Sequence, residues 1–73
     1  MFLIKEIEFI DYNENEMIMI NLINGATDII EKDIYINIIN NKFDNIDEEI
    51  VNCMLERKYL FKNESEYNKF IEQ

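Results

Sequence analysis

The sequence Met-Ile-Met-Ile-Asn-Leu-Ile-Asn-Gly-Ala-Thr-Asp-Ile-Ile-Glu-Lys-Asp, residues 17–33, decides the fold of this chain. An apolar run ends at Asn24-Gly25, and a second apolar run follows directly. Asn-Gly between two such runs is a strong β-hairpin signal, because both residues tolerate positive φ. Gly25 is also the only glycine in the chain. The stretch therefore predicts two antiparallel strands, residues 17–23 and 26–30, followed by the start of a helix.

The flanking sequence predicts one more strand before this hairpin and three helices after it. Charged and apolar residues alternate over residues 3–10, as in a half-buried strand. Three later apolar stripes have helical spacing: Ile34, Tyr35, Ile38 and Ile39; Ile46, Ile50, Val51, Met54 and Leu55; and Tyr67, Phe70 and Ile71. Asn40-Asn41-Lys42 should end the first helix, and the second should begin near Asn45. Asn63 and Glu66 have capping-box spacing at the start of the third helix.

Length and composition predict a single domain over residues 1–73. An apolar content of 48% is too high for a disordered chain. The absence of proline and the single glycine argue against a linker. A core of this size is also too small to enclose a deep substrate cavity.

The net charge of the chain argues against some classes of binding partner. Sixteen acidic residues against seven basic residues give a net charge of −9, and there is no histidine. Such a chain repels phosphates, which argues against a nucleic acid or an anionic membrane as partner. A basic or amphipathic peptide fits better. Solubility alone would also account for the charge.

Cysteine content and apolar run lengths predict a cytoplasmic protein. One cysteine allows no internal disulfide, which is typical of a reducing compartment. Charged residues interrupt the apolar amino terminus at Lys5 and Glu6, unlike a signal peptide. No apolar run approaches membrane-spanning length.

The sequence offers no group of residues suited to catalysis or to a cofactor. Nucleophilic catalysis needs a base beside the nucleophile, and Cys53 instead lies among apolar residues, as a small buried side chain would. Asp11–Asn15 resembles the start of a calcium loop, but Glu16 and Leu22 occupy the positions that require glycine and glutamate. A further acidic set is typical of helix-capping charge rather than of a magnesium site: Asp44, Asp47, Glu48 and Glu49. We therefore expect a protein that is not an enzyme and has no metal.

The remaining candidate site is a peptide-binding surface. The third predicted strand, residues 26–30, should leave one edge unpaired, and an extended peptide can add to such an edge. If the third helix lies beside that strand, Tyr67, Phe70 and Ile71 would complete a groove. The same three side chains would otherwise complete the core, and periodicity does not separate the two interpretations. The open edge could also pair two copies of the chain as a homodimer.

The sequence resembles a known family. Three segments carry the likeness: Asn-Leu-Ile-Asn-Gly-Ala-Thr-Asp-Ile-Ile at residues 21–30, Leu-Glu-Arg-Lys-Tyr-Leu-Phe at residues 55–61, and Glu-Ser-Glu-Tyr at residues 64–67. They resemble the RiPP recognition element, the domain that binds the leader segment of ribosomally synthesised precursor peptides. That family includes the peptide chaperone of the pyrroloquinoline quinone pathway and the amino-terminal domains of radical SAM/SPASM peptide maturases. The glycine that usually precedes its tyrosine-leucine pair is Lys58 here.

The resemblance implies a winged-helix-like α+β fold, with a three-stranded antiparallel sheet followed by three helices. It implies that a leader peptide adds as an antiparallel strand to the third strand, against the third helix. The backbone contacts would then come from Ala26, Thr27, Asp28, Ile29 and Ile30. Leader side chains would contact Tyr67, Lys69, Phe70 and Ile71, with Lys69 meeting a carboxylate. The implied partners are the leader peptide and a peptide-modifying enzyme, on the same or a separate chain.

Two other functions stay open at this level. An acidic inhibitor or DNA mimic would use the charge of −9 to occupy a basic cleft of its partner. A winged-helix transcription factor would need a basic recognition helix. The second predicted helix has only Arg57 and Lys58, both at its end, which disfavours that class.

Overall fold

The computed structural model describes residues 1–72, which form an α+β fold. The strands and α-helices in chain order are β1 Phe2–Leu3, β2 Ile7–Asp11, β3 Glu16–Asn21, β4 Thr27–Glu31, α1 Lys32–Ile39, α2 Glu48–Glu56, β5 Leu60–Phe61 and α3 Glu64–Ile71. Strands β2, β3 and β4 form an antiparallel sheet in that order, while β1 and β5 form a separate antiparallel pair. The predicted three-stranded antiparallel sheet and three helices are confirmed.

The β3–β4 hairpin has a longer turn than a two-residue Asn-Gly loop. Strand β3 ends at Asn21 instead of residue 23, and β4 begins at Thr27. The Asn21 side chain accepts a hydrogen bond from the Ile23 amide at 2.9 Å, which draws the chain out of the ladder. Gly25 adopts a φ of +79°, and its amide donates to the Asn21 carbonyl at 2.8 Å. The turn therefore lies where Asn24-Gly25 predicted it, with a different geometry.

The two faces of the sheet have different surroundings. Met17 lies opposite Ile30 and Met19 opposite Asp28, and this face packs under α1 and α2. The main core consists of Met17, Met19, Ile30, Ile38, Ile46, Val51, Met54, Tyr59 and Leu60. Side chains alternate between faces along a strand, so the opposite face carries Ile10, Ile18, Ile20 and Ile29.

Helices α1 and α2 end in the same way. Asn41 after α1 and Lys58 after α2 have φ values of +58° and +66°. After α2, the Tyr59 amide donates to the Met54 carbonyl at 3.0 Å and the Lys58 amide donates to the Leu55 carbonyl at 3.2 Å. This pair of bonds is the Schellman motif, which satisfies carbonyls at the end of a helix.

The amino terminus and the end of the chain form a second, smaller unit. The strand predicted over residues 3–10 is broken at Lys5-Glu6, so β1 pairs with β5 instead of joining the sheet. This pairing places α3 over a second buried cluster, Ile4, Phe61 and Tyr67, to which Phe2 and Phe70 add. Asn63 caps α3 by accepting from the Glu66 amide at 2.9 Å, as its position predicted.

Helix α2 begins later than predicted. A 3₁₀ turn at Phe43–Asn45 occupies the predicted start, and α2 proper begins at Glu48. Asp47 is its N-cap residue, with Glu48 and Glu49 in the first turn, where the helix dipole favours negative charge. Residues 1–72 contain no helix with the length and apolar character needed to cross a membrane.

Candidate functional site

A groove of about 420 Å³ lies between the outer edge of β4 and helix α2. Its apolar residues on the helices are Ile34, Ile50, Cys53 and Met54, and those on the sheet and beyond α2 are Met19, Ile29, Ile30 and Tyr59. Its charged residues are Glu16, Asp28, Glu31, Glu49 and Arg57. Of the strand residues, Ile29, Glu16 and Glu31 lie at the edge of the groove, because their side chains project from the face of the sheet opposite α2. The groove is therefore apolar in its interior and has an acidic majority among its charges.

The edge of β4 that faces this groove has unpaired backbone groups. Residues in an antiparallel ladder alternate between hydrogen-bonded and non-bonded pairs. The Asn21 amide bonds the Ala26 carbonyl, and the Lys32 amide bonds the Asn15 carbonyl, each at 2.8 Å. In this register Thr27, Ile29 and Glu31 direct their N–H and C=O groups away from β3. Within residues 1–72, no strand pairs with β4 on that side.

The β3–β4 hairpin and the end of α2 are joined by side-chain hydrogen bonds, which fix one end of the groove. Asn21 is fully buried, and its Nδ2 donates to the carbonyls of Arg57 and Lys58, each at 3.1 Å. Asn24 Nδ2 donates to the same Arg57 carbonyl at 3.1 Å. Because these carbonyls end α2, the two asparagines set the distance between the helix and β4 at this point.

An ion pair joins β4 to α2 at the same end of the groove. Arg57 Nε donates to Asp28 Oδ2 at 2.6 Å, and the hydroxyl of the buried Tyr59 donates to the same oxygen at 2.7 Å. Burial, and then the hydrogen bond to the Asp28 carboxylate, raise the pKa of Tyr59. The carboxylate raises the pKa of Arg57 as well. The Tyr59 hydroxyl therefore remains protonated and donates a hydrogen bond to the Asp28 carboxylate. The same carboxylate oxygen also accepts a hydrogen bond from Arg57.

The structure separates the two halves of the site expected from sequence. Residues 27–30 lie on β4, beside the groove, whereas α3 packs against β5 and the second cluster. Of the five residues expected to pair with a peptide, Thr27 and Ile29 direct their backbone groups outward, and Ala26, Asp28 and Ile30 direct theirs toward β3. Tyr67 is buried there, with its hydroxyl 2.8 Å from Glu6 Oε1, and Phe70 packs on Phe61 at a ring separation of 5.4 Å. Lys69 and Ile71 are exposed on α3. The expected placement of α3 beside the strand is wrong, because the β1–β5 pairing directs the chain away from β4.

Helix α2 takes the place expected for α3, and its groove residues were missed at the sequence level. Cys53, expected to be buried, is exposed and lines the groove. Met54 and Ile50 lie on the apolar stripe that the sequence assigned to the core. The width of that apolar stripe was a signal of the groove in the sequence, because the stripe extends around α2 further than packing against one surface requires.

The acidic segment at residues 11–16 forms part of the fold and not of a binding site. Asp11 forms a 3.3 Å salt bridge with Lys32, and Asn13 accepts a hydrogen bond from the Asn15 amide at 2.9 Å. These contacts build the β2–β3 turn, as the polar composition of residues 11–16 predicted. In the described part of the chain, no group of three or more histidine, cysteine, aspartate or glutamate residues is arranged to hold a metal ion.

In comparisons with protein-family models, curated proteins and solved structures, nothing matches this chain. The groove beside β4 is therefore the basis on which a function can be assigned. Two of its features are those of a ligand site: backbone groups directed outward from β4, and apolar side chains on the facing helix.

Proposed function

We propose that this chain binds an extended peptide, which adds to β4 as a further strand and places its side chains against α2. The observation that carries this proposal is the unpaired edge of β4 beside an apolar groove. Main-chain hydrogen bonds from Thr27, Ile29 and Glu31 would supply affinity without regard to sequence. The exposed strand edge is otherwise a liability, because such an edge promotes aggregation.

The groove would select peptides through every second side chain. Successive side chains of a strand point to opposite faces, so alternate residues of an added strand face α2. Ile50 and Cys53 offer these residues an apolar surface, which the buried Met54 supports from the core. We therefore expect apolar residues at alternate positions of the ligand.

The ligand that we propose is the leader segment of a ribosomally synthesised precursor peptide, presented in the cytoplasm to a modifying enzyme such as a radical SAM maturase. The support is the resemblance to the RiPP recognition element. Two of the three segments that carry that resemblance, residues 21–30 and 55–61, lie in the β3–β4 hairpin and at the end of α2, on the two sides of the groove, while the third, residues 64–67, lies on α3. A winged-helix-like arrangement, with α2 as the helix beside the peptide, belongs to this proposal.

An NMR titration with synthetic leader peptides from neighbouring genes tests the proposal. We expect chemical-shift changes concentrated on residues 27–31 and 49–57, with residues 64–71 little affected. Changes scattered over acidic surface positions, or an absence of binding by every such leader, would overturn the proposal.

A proline substitution gives a matched test of strand addition. Ile29→Pro removes an amide that points outward, so β4 keeps its bonds to β3 while the ligand loses a donor. Asp11→Pro changes an outward-pointing position on the opposite sheet edge in the same way. Peptide affinity should fall at least tenfold in Ile29→Pro and remain unchanged in Asp11→Pro. Equal affinities in the two variants would contradict strand addition to β4.

A second candidate is an acidic inhibitor or DNA mimic, which the net charge of −9 favours. Binding of that kind depends on exposed carboxylates and weakens steeply with salt. Strand addition depends on main-chain hydrogen bonds and apolar contacts as well, so a measurable part of its affinity should remain at high salt. Cys53→Asn separates the two, since it makes an exposed position of the groove polar without changing the charge. It should weaken peptide binding and leave binding to a basic cleft unchanged.

A further inference from the structure

We infer that the peptide taken by the groove is cationic toward its amino end; this inference deepens the proposed function and depends on it. The charges along the groove are unevenly placed. Arg57 pairs with Asp28 near the start of β4, so that end carries no net charge. Glu31 ends β4, and Glu16 is its partner in the ladder. Both glutamates lie at the edge of the groove, with their side chains on the face of the sheet opposite α2.

Helix α2 adds a third carboxylate at the same end. The helix runs antiparallel to β4 along the groove, because its end at Arg57 lies beside the start of the strand. Glu49 is in the first turn of α2, about 12 Å along the helix axis from Arg57 at 1.5 Å per residue. Glu49 therefore lies at the same end of the groove as Glu31, so that a strand added to β4 would have Glu31 on one face and Glu49 on the other.

These carboxylates lack cationic partners within the described chain. Over residues 1–72, the ion pairs are Lys32 with Asp11 and Arg57 with Asp28. Glu16 and Glu31 face each other directly across the β3–β4 ladder, an arrangement of like charges that destabilises a sheet. A lysine or arginine of a bound strand beside Glu31 would offset this repulsion by pairing with Glu31, and a cation at the neighbouring position of that strand would face Glu49. The unpaired strand edge provides the position for such a residue.

The direction of the bound strand follows from the sheet. Strands β2, β3 and β4 are all antiparallel, and uniformly antiparallel sheets are favoured over mixed ones. A peptide added antiparallel to β4 has its amino end at Glu31 and its carboxyl end at Thr27. Its cationic residue is therefore amino-terminal to the apolar residues that face Ile50 and Cys53.

Selection from a random peptide library displayed on messenger RNA, with the intact chain as bait, tests this inference. We expect enriched peptides with lysine or arginine before an alternating apolar segment, and weakened binding to Ile29→Pro. Enriched peptides that need the β4 edge but have no charge preference, or have cations at the carboxyl end, would overturn this inference and leave the proposed function standing. A selection that yields no edge-dependent peptide would overturn both.

Charge-removing variants test the same inference with one selected cationic peptide as probe. Glu49→Gln and Glu31→Gln should each weaken its binding about fivefold, as expected for a partly exposed ion pair. Glu48→Gln is the matched control, because it removes the adjacent carboxylate of the same helical turn, which does not line the groove. Equal affinities in Glu48→Gln and Glu49→Gln would overturn the inference.

Discussion

At the scale of single residues, Lys58 occupies a backbone conformation that suits glycine. Its φ of +66° places Cβ close to the backbone, at a cost of roughly 1–2 kcal/mol for an L-residue. Its Nζ lies 5.8 Å from the centre of the Phe61 ring, a weak favourable contact. The Schellman turn thus forms here with a lysine at the position that favours glycine.

Replacing Lys58 with glycine should therefore stabilise the protein. We expect Lys58→Gly to unfold at higher urea concentration than Lys58→Ala, by about 1 kcal/mol in free energy of unfolding. Lys58→Ala is the matched control, since it also removes the contact with Phe61 but retains Cβ. Equal stabilities of the two variants would show that the left-handed conformation at this position carries no strain.

Tyr59 should make the fold sensitive to alkaline pH. Burial and the Asp28 carboxylate raise its pKa in the folded state above the ordinary value of about 10. Its stabilising contribution is complete below about pH 10 and is lost as pH rises, because the unfolded phenol ionises first. In urea unfolding, Tyr59→Phe should therefore lose less stability than the parent between about pH 8 and about pH 11. Tyr12→Phe, at an exposed site, should behave like the parent; identical losses in all three proteins would contradict the assignment.

Asn21 illustrates what a sequence does not reveal at this scale. In the sequence it is a polar interruption of an apolar strand, next to a recognisable turn. In the structure it is fully buried, and its side chain bonds the carbonyls of Arg57 and Lys58, 36 and 37 residues away. The local sequence pattern predicted the turn. It could not predict the hydrogen bonds of the Asn21 side chain, because a contact with a distant helix end leaves no periodic pattern in the sequence.

At the scale of elements, the predicted site was partly wrong because α2, and not α3, lies beside β4. The sequence predicted the strand edge from the hairpin, and the edge is present as β4. It could not predict which helix lies there, because β1 and β5 are two residues each, too short to be recognised by alternation. Their pairing moves α3 to a second cluster and leaves α2 beside β4.

Helix α3 should consequently contribute to stability and not to peptide binding. Phe70 is half-buried against Phe61, so Phe70→Ala should lower the free energy of unfolding by about 2 kcal/mol, below the range for fully buried aromatics. Ile71→Ala, at a mostly exposed neighbour, should change it by less than about 0.5 kcal/mol. Neither variant should alter peptide affinity under native conditions. A loss of affinity in Phe70→Ala without a loss of stability would restore the site on α3.

At the scale of the whole molecule, the net charge opposes self-association, whereas an exposed apolar surface favours it. One face of the sheet packs under the helices, and Ile10, Ile18 and Ile29 lie in register across the other. Ile10 and Ile29 are 42% and 52% exposed. Glu8, Glu16 and Glu31 project from the same face. We expect the net charge of −9 to keep copies of the chain apart at neutral pH despite this apolar row.

Neutralising the carboxylates should therefore cause self-association through the isoleucine row. As the pH approaches the isoelectric point of about 4.2, repulsion falls while the exposed apolar area remains, so sedimentation should detect larger species than at pH 7. Ile18→Thr and Ile29→Thr keep β-branched side chains and should suppress this association. Ile36→Thr is the control, since it removes an equally exposed isoleucine from α1, away from the row. Suppression by Ile36→Thr as strong as by Ile29→Thr would mean that acid association is a general loss of solubility and not a property of this face.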